Sequence, residues 1–452
     1  MKVLGVVLIA GMCGSALAAA PKEFSANAFG AVGDGKTLAT VGIQRAIDAA
    51  GKRGGVVTLK PGVYLSGSIF VKTNVTLRLD AGVTILGSQK IEDYPMMPTR
   101  VAGIEMTWPA ALVNVYEQTN AAVTGAGTID GDGMIFWKSY WDLRKEYEPR
   151  GLRWASDYDA RRPRLVQVYK SSHVTVGGGL MLRRSGFWTV HLCYSTDVHV
   201  DGVTIRNNED GKGPSTDGID IDSSSKVLVE HVDIAVNDDA LCLKAGRDSD
   251  GLRVNRPTTD VVIRDAVVRA GAAGVTIGSE TSGGFKNIEA YRITVMAGVS
   301  NGILFKSAHV RGGTAEDIRI HDITVGAVAM VVRMTMNWNP AYSYAVIPAG
   351  VTGYPEYWTT LTTHMDAVKG LPHFKNVKIW NVTAVGAKAG FDVSAYKDAP
   401  LEDFRLEHFD LQVGTAGSIA NALRWEFLDV KVRSADGSVV KVSDSDGVMG
   451  LE

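Results

Sequence analysis

The sequence predicts an all-β fold, a single-stranded right-handed parallel β-helix (solenoid) with a short N-terminal capping helix. A short apolar pattern recurs along the chain, each copy alternates with period two, and Gly, Asn and Asp residues separate the copies. Such alternation is typical of a strand with one buried face, so the copies indicate strands that stack turn upon turn. The copies begin at Val174, Val198, Val227, Val261, Ile288, Ile318, Val377 and Phe404.

The spacing of these copies distinguishes the β-helix from a β-sandwich, which is its main alternative. Successive copies start 24 to 34 residues apart, with one interval of 59 residues that fits two turns or one turn with a large insertion. A sandwich would show turn signals every ~8–12 residues. The longer interval therefore favours the coil.

The stretch TVGIQRAIDAAGKRGG predicts the capping helix. Thr40 is its expected N-cap, Ile43 and Ile47 share one face, and Gly51 or Gly54 ends it. Such a helix covers the open end of a solenoid, where the first strand would otherwise present an unpaired edge.

The first 20 residues predict a secretory signal peptide. An early lysine, an apolar run that begins at Val3, and small residues at Ala16 and Ala18 form that pattern. We therefore expect residues 21–452 to form one β-helix domain in the periplasm or outside the cell. Insertions are expected near 137–164 and 334–372.

Composition excludes several classes of partner. The formal net charge is −2, and no later segment offers the ~18 consecutive apolar residues that a membrane helix needs. We therefore expect no binding to nucleic acid, no membrane association and a monomeric protein. Any preference for an acidic ligand must come from a local cluster of side chains.

A run of aspartates interrupts the apolar pattern between residues 215 and 244. Turns of a β-helix stack about 4.8 Å apart, so residues one repeat apart become neighbours. Aligning GIDID, ALCLK, GVTIG and GILFK, which begin at residues 218, 240, 274 and 302, places Asp217 beside Asp239, with Asp238 on the same turn. Three carboxylates then gather on the outer wall, where like charges raise the pKa of at least one of them.

This arrangement suits hydrolysis of a glycosidic bond. One carboxylic acid protonates the leaving oxygen while another carboxylate activates water. Neighbouring turns allow a separation of roughly 6.5–9.5 Å between the carboxyl groups, which indicates inversion. The alternatives are that these aspartates end turns or bind Ca²⁺ through hard oxygen ligands.

Four motifs resemble those of the polygalacturonase-like glycoside hydrolases, family 28. STDGIDIDSS, NDDALCLKAG, AAGVTIGSETSGG and NGILFKS follow the order of the family motifs NTD, DD, GHG and RIK, and the likeness extends from FGAVGDGKT to about residue 430. The resemblance implies an inverting pectin hydrolase that needs no metal or other cofactor. By motif, it implies Asp238 as the general acid, with Asp217 and Asp239 holding the water.

Three positions depart from these motifs. Ser215 replaces the Asn of NTD, Ala272 falls where GHG has His, and Leu304 falls where RIK has Arg, whereas Lys306 is retained. In the family the Arg and Lys bind a galacturonate carboxylate, so Leu304 loses a bidentate contact and leaves an apolar surface. We therefore expect Lys306 to bind substrate. We also expect rhamnogalacturonan, or another non-homogalacturonan pectin, to be preferred.

The outward columns supply further candidates for substrate binding. His191 shares a column with Asp220, and it could replace the missing histidine by orienting Asp220 or a sugar hydroxyl. Lys244 stands beside Asp222, and it could neutralise that carboxylate or contact substrate. We include His191, Asp220 and Lys244 among the expected substrate-binding residues.

The two insertions carry side chains that suit acidic sugars, because aromatic faces cover sugar rings and guanidinium groups pair with carboxylates. Trp338 and Tyr342 of the second insertion are expected to contact substrate, although such aromatic residues also pack loops onto a coil. The first insertion contains Trp137, Trp141, Trp154, Arg150, Arg153, Arg161, Arg162 and Arg164.

Two cysteines remain after residue 20. Cys193 and Cys242 lie about two turns apart in this register, beyond the reach of a disulfide, so we expect free thiols.

Three classes of function remain open. The first is an inverting hydrolase of galacturonate-containing pectin, with exo-polygalacturonase action on homogalacturonan as the alternative specificity. The second is a Ca²⁺-assisted pectate lyase, which the lack of a clear Arg or Lys base beside the carboxylates disfavours. The third is a catalytically impaired pectin-binding β-helix protein.

Overall fold

The apolar units stack in register in the structure, a computed structural model that describes residues 22–451. Val174 lies beside Val198, Val198 beside Val227, and each later start lies opposite the next as far as Phe404. The architecture is the right-handed parallel β-helix that the sequence predicts.

The strands of the coil pair in parallel and form three columns. The front column, which carries the aspartate cluster, comprises Ile69–Val71, Val113–Tyr116, Val166–Tyr169, Val190–Cys193, Ile219–Asp222, Asp239–Lys244, Ala273–Ile277, Asn301–Lys306, Met330–Thr335 and Lys441–Ser443. The side column begins with Glu23–Ser25, Gly55–Thr58, Val75–Arg78, Thr119–Thr124, Ser172–Gly177 and Thr196–Asp201. The back column begins with Asp34–Leu38, Gly62–Ser66, Val83–Gly87, Thr128–Asp130, Met181–Arg183 and Thr204–Arg206.

Longer strands continue the coil and span more than one column. They are Ser225–Ala235, Thr258–Ala270, Phe285–Val295, Thr314–Val325, His373–Ser394, Leu401–Ala420 and Glu426–Ser434, with the short strand Ala422–Leu423 beside them. Short helices occupy the connections: Ala26–Phe29, Thr40–Gly51, Ile91–Asp93, Met134–Tyr147, Glu148–Arg150, Arg153–Ala155, Ser156–Asp159, Asp248–Val254, Pro340–Ser343, Glu356–Thr362 and Ala367–Gly370.

Apolar side chains fill the interior of the coil. Ile219 pairs with Leu241, Leu241 with Val275, and Val275 with Ile303, and all four side chains are fully buried. The period-two pattern therefore positions the front column, because a slip of one residue would turn every apolar side chain outward.

The capping helix forms over Thr40–Gly51, with Ile43 and Ile47 completely buried. The predicted N-cap is wrong, because Ala39 occupies that position and Thr40 is the first helical residue. The Thr40 hydroxyl instead accepts a 2.8 Å hydrogen bond from the backbone N–H of Gly67.

The interval of 59 residues is one turn that carries an insertion, because Ile318 pairs directly with Val377. The inserted segment contains the helices Pro340–Ser343, Glu356–Thr362 and Ala367–Gly370.

A β-hairpin that the sequence analysis did not identify covers the front column. Strands Met96–Val101 and Ile104–Pro109 pair in antiparallel fashion, and Ala102 and Gly103 form the turn with φ of 40° and 91°. Positive φ at both turn residues is the geometry of a tight two-residue hairpin. The hairpin packs against both insertions in an apolar cluster that includes Trp108, Trp154, Tyr158, Phe187 and Trp358.

Two further expectations concern single segments. Cys193 and Cys242 are free and buried, as predicted. Within residues 22–451, no helix has the length and apolar character to cross a membrane. The predicted signal peptide lies outside the described residues.

Candidate active site

The register brings three aspartates together at the edge of the front column. One carboxylate oxygen from each of Asp217, Asp238 and Asp239 lies within 4.8 Å of the others. Asp217 and Asp239 are buried, whereas Asp238 is partly exposed. The geometric prediction that distant aspartates share one cluster is therefore confirmed.

The backbone of the coil holds these aspartates in place. The Asp217 carbonyl accepts a 2.9 Å hydrogen bond from Thr189 N–H, and Gly218 N–H donates to the Asp239 carbonyl at 2.9 Å. Gly218 is required by this approach, because a Cβ there would lie 2.3 Å from the Ala240 carbonyl oxygen. Functional side chains thus project from ladder positions that the apolar core fixes.

Two lysines neutralise the cluster. Lys306 Nζ donates a 2.6 Å hydrogen bond to Asp239 Oδ2, and Lys244 Nζ lies 3.5 Å from Asp217 Oδ2. Burial lowers the pKa of Lys306, but the charge of Asp239 outweighs it and raises that pKa above the usual value. The expectation that no basic residue lies beside the carboxylates was wrong. A lysine that stays protonated is nevertheless a poor base for elimination.

The environment favours the protonated form of part of the cluster. Burial, followed by the charges of Asp220 and Asp238, raises the pKa of Asp217 well above its usual value. Burial and then the neighbouring Asp239 raise the pKa of Asp238. A carboxylic acid with a raised pKa can donate a proton near neutral pH.

The predicted separation between the carboxyl groups is wrong. The oxygens lie within 4.8 Å, whereas inverting pairs are typically ~6.5–9.5 Å apart and retaining pairs ~5–5.5 Å apart. The short distance arises because Asp217 and Asp239 face each other on adjacent turns, and Asp238 is next in the chain. The separation alone therefore does not indicate inversion.

Three oxygens this close could also ligate a cation. However, Lys306 and Lys244 already place two ammonium groups at 2.6 Å and 3.5 Å from these carboxylates. A further cation would be repelled by both ammonium groups. The donor set therefore fits lysine-compensated acid–base chemistry better than a Ca²⁺ site.

The cluster forms one wall of a cavity of about 100 Å³. The hairpin contributes Ala102, the first insertion Arg153, and the second insertion Trp338 and Tyr342. Lys306 lies 4.5 Å below the Trp338 ring centroid, and Tyr342 OH donates to Glu280 at 3.3 Å. Trp338, Tyr342, Lys306 and Lys244 thus line the cavity, as expected for substrate-binding residues.

Glu280 is a cavity residue that the sequence analysis did not identify. Its carboxylate lies 3.3 Å from Lys244 Nζ. Burial raises its pKa, but Lys244, Arg311 and Lys306 outweigh burial and hold it at about 2. Extending the alignment of ALCLK by two residues would have revealed it, because Ala245 N–H donates to the Glu280 carbonyl.

His191 and Asp220 do not line the cavity, in contrast to the prediction that they bind substrate. His191 pairs with Asp220 in register, as expected, but both side chains are fully buried. His191 Nε2 lies 3.3 Å from Asp222 Oδ2, and Nδ1 lies 3.3 Å from the Gln167 amide nitrogen. Burial, with the charge of Arg164, lowers the pKa of His191 to about 4. The imidazole therefore does not replace the missing histidine.

Lys244 does not neutralise Asp222, although the two are register partners. Arg100 of the hairpin takes that role, with Nη1 2.8 Å from Asp222 Oδ1. Lys244 Nζ instead lies 3.5 Å from Asp220 and close to Asp217 and Glu280. A covering hairpin that lies outside the repeat supplied the partner.

The three substituted motif positions have different surroundings. The Ser215 hydroxyl donates to Asp157 at 2.8 Å at the cavity edge. Ala272 contributes a backbone N–H to the Asp238 carbonyl at 2.9 Å. Leu304 is only 1% exposed and does not line the cavity, so it offers no apolar surface to a sugar. The reason for expecting rhamnogalacturonan is therefore not supported.

Comparison with known proteins relates this site to a family. Residues 60–352 match the sequence profile of Glycosyl hydrolases family 28, which covers more than half of the chain. This segment contains all three aspartates of the cluster.

Individual relatives agree with the family match. The chain is 30% identical over 321 residues to "Probable polygalacturonase" of Vitis vinifera, which covers 69% of this chain and 62% of that protein. It is 27% identical over 469 residues to "Exo-poly-alpha-D-galacturonosidase" of Dickeya chrysanthemi, covering 93% and 75% of the two chains. The solved structure of a hyperthermoactive exopolygalacturonase from Thermotoga maritima superposes with a TM-score of 0.74 at 26% identity, covering 87% and 88%.

Proposed function

The chain belongs to Glycosyl hydrolases family 28, and on this premise we propose that it hydrolyses galacturonosidic bonds in pectin. The observation that carries the proposal is the gathering of Asp217, Asp238 and Asp239 at one wall of a cavity, with Lys306 bound to Asp239.

Asp238 acts as the general acid in this proposal. Its raised pKa keeps a proton available, and its partial exposure lets the carboxyl group reach the oxygen of the bond. The proton moves to the leaving sugar as the bond from the anomeric carbon to that oxygen breaks.

Asp239 and Asp217 hold and deprotonate the attacking water. Asp239 Oδ2 is bound to Lys306, while no protein atom among residues 22–451 bonds Asp239 Oδ1, which leaves that oxygen to accept from water. The hydroxyl of the water joins the anomeric carbon, and its proton passes to the carboxylate. The family resemblance supports inversion, although the separation of the carboxyl groups does not.

The charges of the cavity favour an acidic sugar. Lys306, Lys244 and Arg153 line it, and an ammonium or guanidinium group attracts the carboxylate of galacturonate. Because Leu304 is buried, we propose that homogalacturonan is preferred to rhamnogalacturonan.

The surroundings of the cavity support action at a chain end. The hairpin and both insertions contribute to its walls and pack together in one apolar cluster, so a long polymer has little room to pass through. We propose that the enzyme releases short products from the end of the chain. The signal-like pattern of residues 1–20 supports action in the periplasm or outside the cell.

Incubation with polygalacturonate and with rhamnogalacturonan tests the proposal. New reducing ends are expected from polygalacturonate, as short oligomers from the first minutes onward. A spread of intermediate lengths would overturn the chain-end mode. If a folded protein released no reducing ends from either polymer, hydrolysis itself would be refuted.

A further inference from the structure

A second pocket lies on the other side of the general acid. Its volume is about 190 Å³, and Asp238, Ser215 and Arg153 line both this pocket and the cavity. Its remaining walls come from the helix Met134–Tyr147 and from the loop that begins at Lys212. We call it the helix pocket.

The helix pocket is rich in positive charge. Arg144, Arg153 and Lys212 line it, and Asp238 is its one acidic lining residue. Arg144 is bound to Glu148 at 2.6 Å, and Arg153 to Asp157 at 2.9 Å. Lys212, by contrast, makes no ion pair with any residue in the described range 22–451. Its charge is therefore available to a ligand.

Trp141 joins the two walls of the helix pocket. Its indole N–H donates a 2.8 Å hydrogen bond to the Lys212 carbonyl. The ring also lies 5.6 Å from Lys212 Nζ and 5.4 Å from the Arg144 guanidinium. These contacts hold the loop against the helix and place both cations around one aromatic ring.

We propose that the helix pocket binds a uronate residue adjoining the cleaved bond, with Lys212 as the group that pairs with its carboxylate. This inference rests on the proposed function, because it requires a substrate bound beside Asp238. The pocket and the cavity meet at the one carboxylate that must reach the bond between two sugars. A sugar in the helix pocket would therefore be a direct neighbour of the sugar in the cavity.

The chemistry of the walls selects an acidic sugar over a neutral one. A neutral sugar would leave Lys212 without a counter-charge, whereas a uronate offers a carboxylate to an ammonium group on a loop held by Trp141. Because Lys212 is solvent-exposed, the contribution should be modest and should fall as salt screens it.

Binding of trigalacturonate tests the proposal independently of turnover. Titration calorimetry would compare Lys212→Gln with its parent, both in an Asp238→Asn background that prevents hydrolysis. We expect Kd to rise roughly two- to fivefold at low salt, the difference to shrink at about 0.5 M NaCl, and Lys212→Arg to restore binding. The matched control is Lys138→Gln, because Lys138 is on the same helix but is bound to Asp142 away from the pocket.

Equal Kd values for Lys212→Gln and Lys138→Gln at low salt would overturn the proposal. A rise in Kd that salt leaves unchanged would also overturn it, because it would indicate a structural role of the loop. If wild type binds trigalacturonate as expected but hydrolyses no pectin, the proposed function fails while the uronate site stands.

Discussion

Lys306 Nζ lies 2.6 Å from Asp239 Oδ2, although the two residues stand two turns apart along the coil. Both side chains are buried, and the Trp338 ring covers the ammonium group at 4.5 Å. The ion pair compensates one carboxylate of the cluster and lowers the pKa of the adjacent Asp238 against the larger effect of burial. Lys306 therefore affects the general acid as well as the substrate.

Replacing Lys306 by Met should move the alkaline limb of the pH–activity profile to higher pH. Hydrolysis needs protonated Asp238, so activity is lost as pH rises through the raised pKa of that carboxyl group. Removing the cation raises this pKa further, and kcat/KM should also fall by at least roughly tenfold because a buried charge pair is broken. The measurement is kcat/KM on trigalacturonate against pH. Lys286→Met at the surface is the control, and an unmoved limb would contradict the prediction.

Asp238→Asn should nearly abolish turnover without unfolding the protein. An amide cannot donate the proton, and general acid catalysis contributes ~10²–10⁴-fold. We expect kcat on polygalacturonate to fall by that factor, with an unchanged thermal midpoint. Asp233→Asn, whose carboxylate pairs with Arg206 and Arg269 at the surface, serves as control. Retention of most activity in Asp238→Asn would reassign the general acid.

The repeat made the coil predictable. Val198, Val261 and Ile318 all occupy the same inward position, because one buried face requires the same phase on every turn. The same logic placed Asp217 beside Asp239. Sequence reasoning therefore succeeded wherever a side chain is defined by its position within the repeat.

It failed where a segment outside the repeat covers the coil. Asp222 and His191 face outward from the coil, and outward positions were interpreted as surface. The hairpin buries them, and its Arg100 takes the partner that was assigned to Lys244. The hairpin occurs once, so it leaves no periodic signal. Ala102 and Gly103 between two short apolar runs were the available indication.

The anomer formed first should distinguish inversion from retention. The compact cluster permits Asp217 or Asp239 either to activate water or to attack directly, whereas the family resemblance implies inversion. For an α-linked galacturonide, proton NMR in the first minutes should show the β-anomer before mutarotation. Initial appearance of the α-anomer would show retention, with one of these carboxylates as nucleophile.

Asp220→Asn should stabilise the protein at alkaline pH relative to acidic pH. Burial raises the pKa of Asp220 to about 7, so the folded state binds a proton that the unfolded state has released above about 4. This contribution is fully present below the unfolded pKa and is lost as pH rises through about 7. Compared with wild type, the neutral amide should gain roughly 2–3 kcal/mol in free energy of unfolding between pH 5 and pH 8. Urea unfolding at the two pH values measures it, and an equal difference at both would contradict the assigned burial effect.

Arg100→Met should destabilise the protein strongly, and a second change should rescue it. Arg100 is completely buried, and its Nη1 lies 2.8 Å from Asp222 Oδ1 and 2.6 Å from the Ser223 hydroxyl. Removing the guanidinium leaves the Asp222 carboxylate buried with His191 as its remaining ring partner, which costs about 3–5 kcal/mol. Arg100→Met combined with Asp222→Asn removes both charges, so most of the loss should be recovered in denaturation midpoints at pH 7. A double variant as unstable as the sum of the single variants would show that the hairpin is held by its apolar contacts, with no coupling between Arg100 and Asp222.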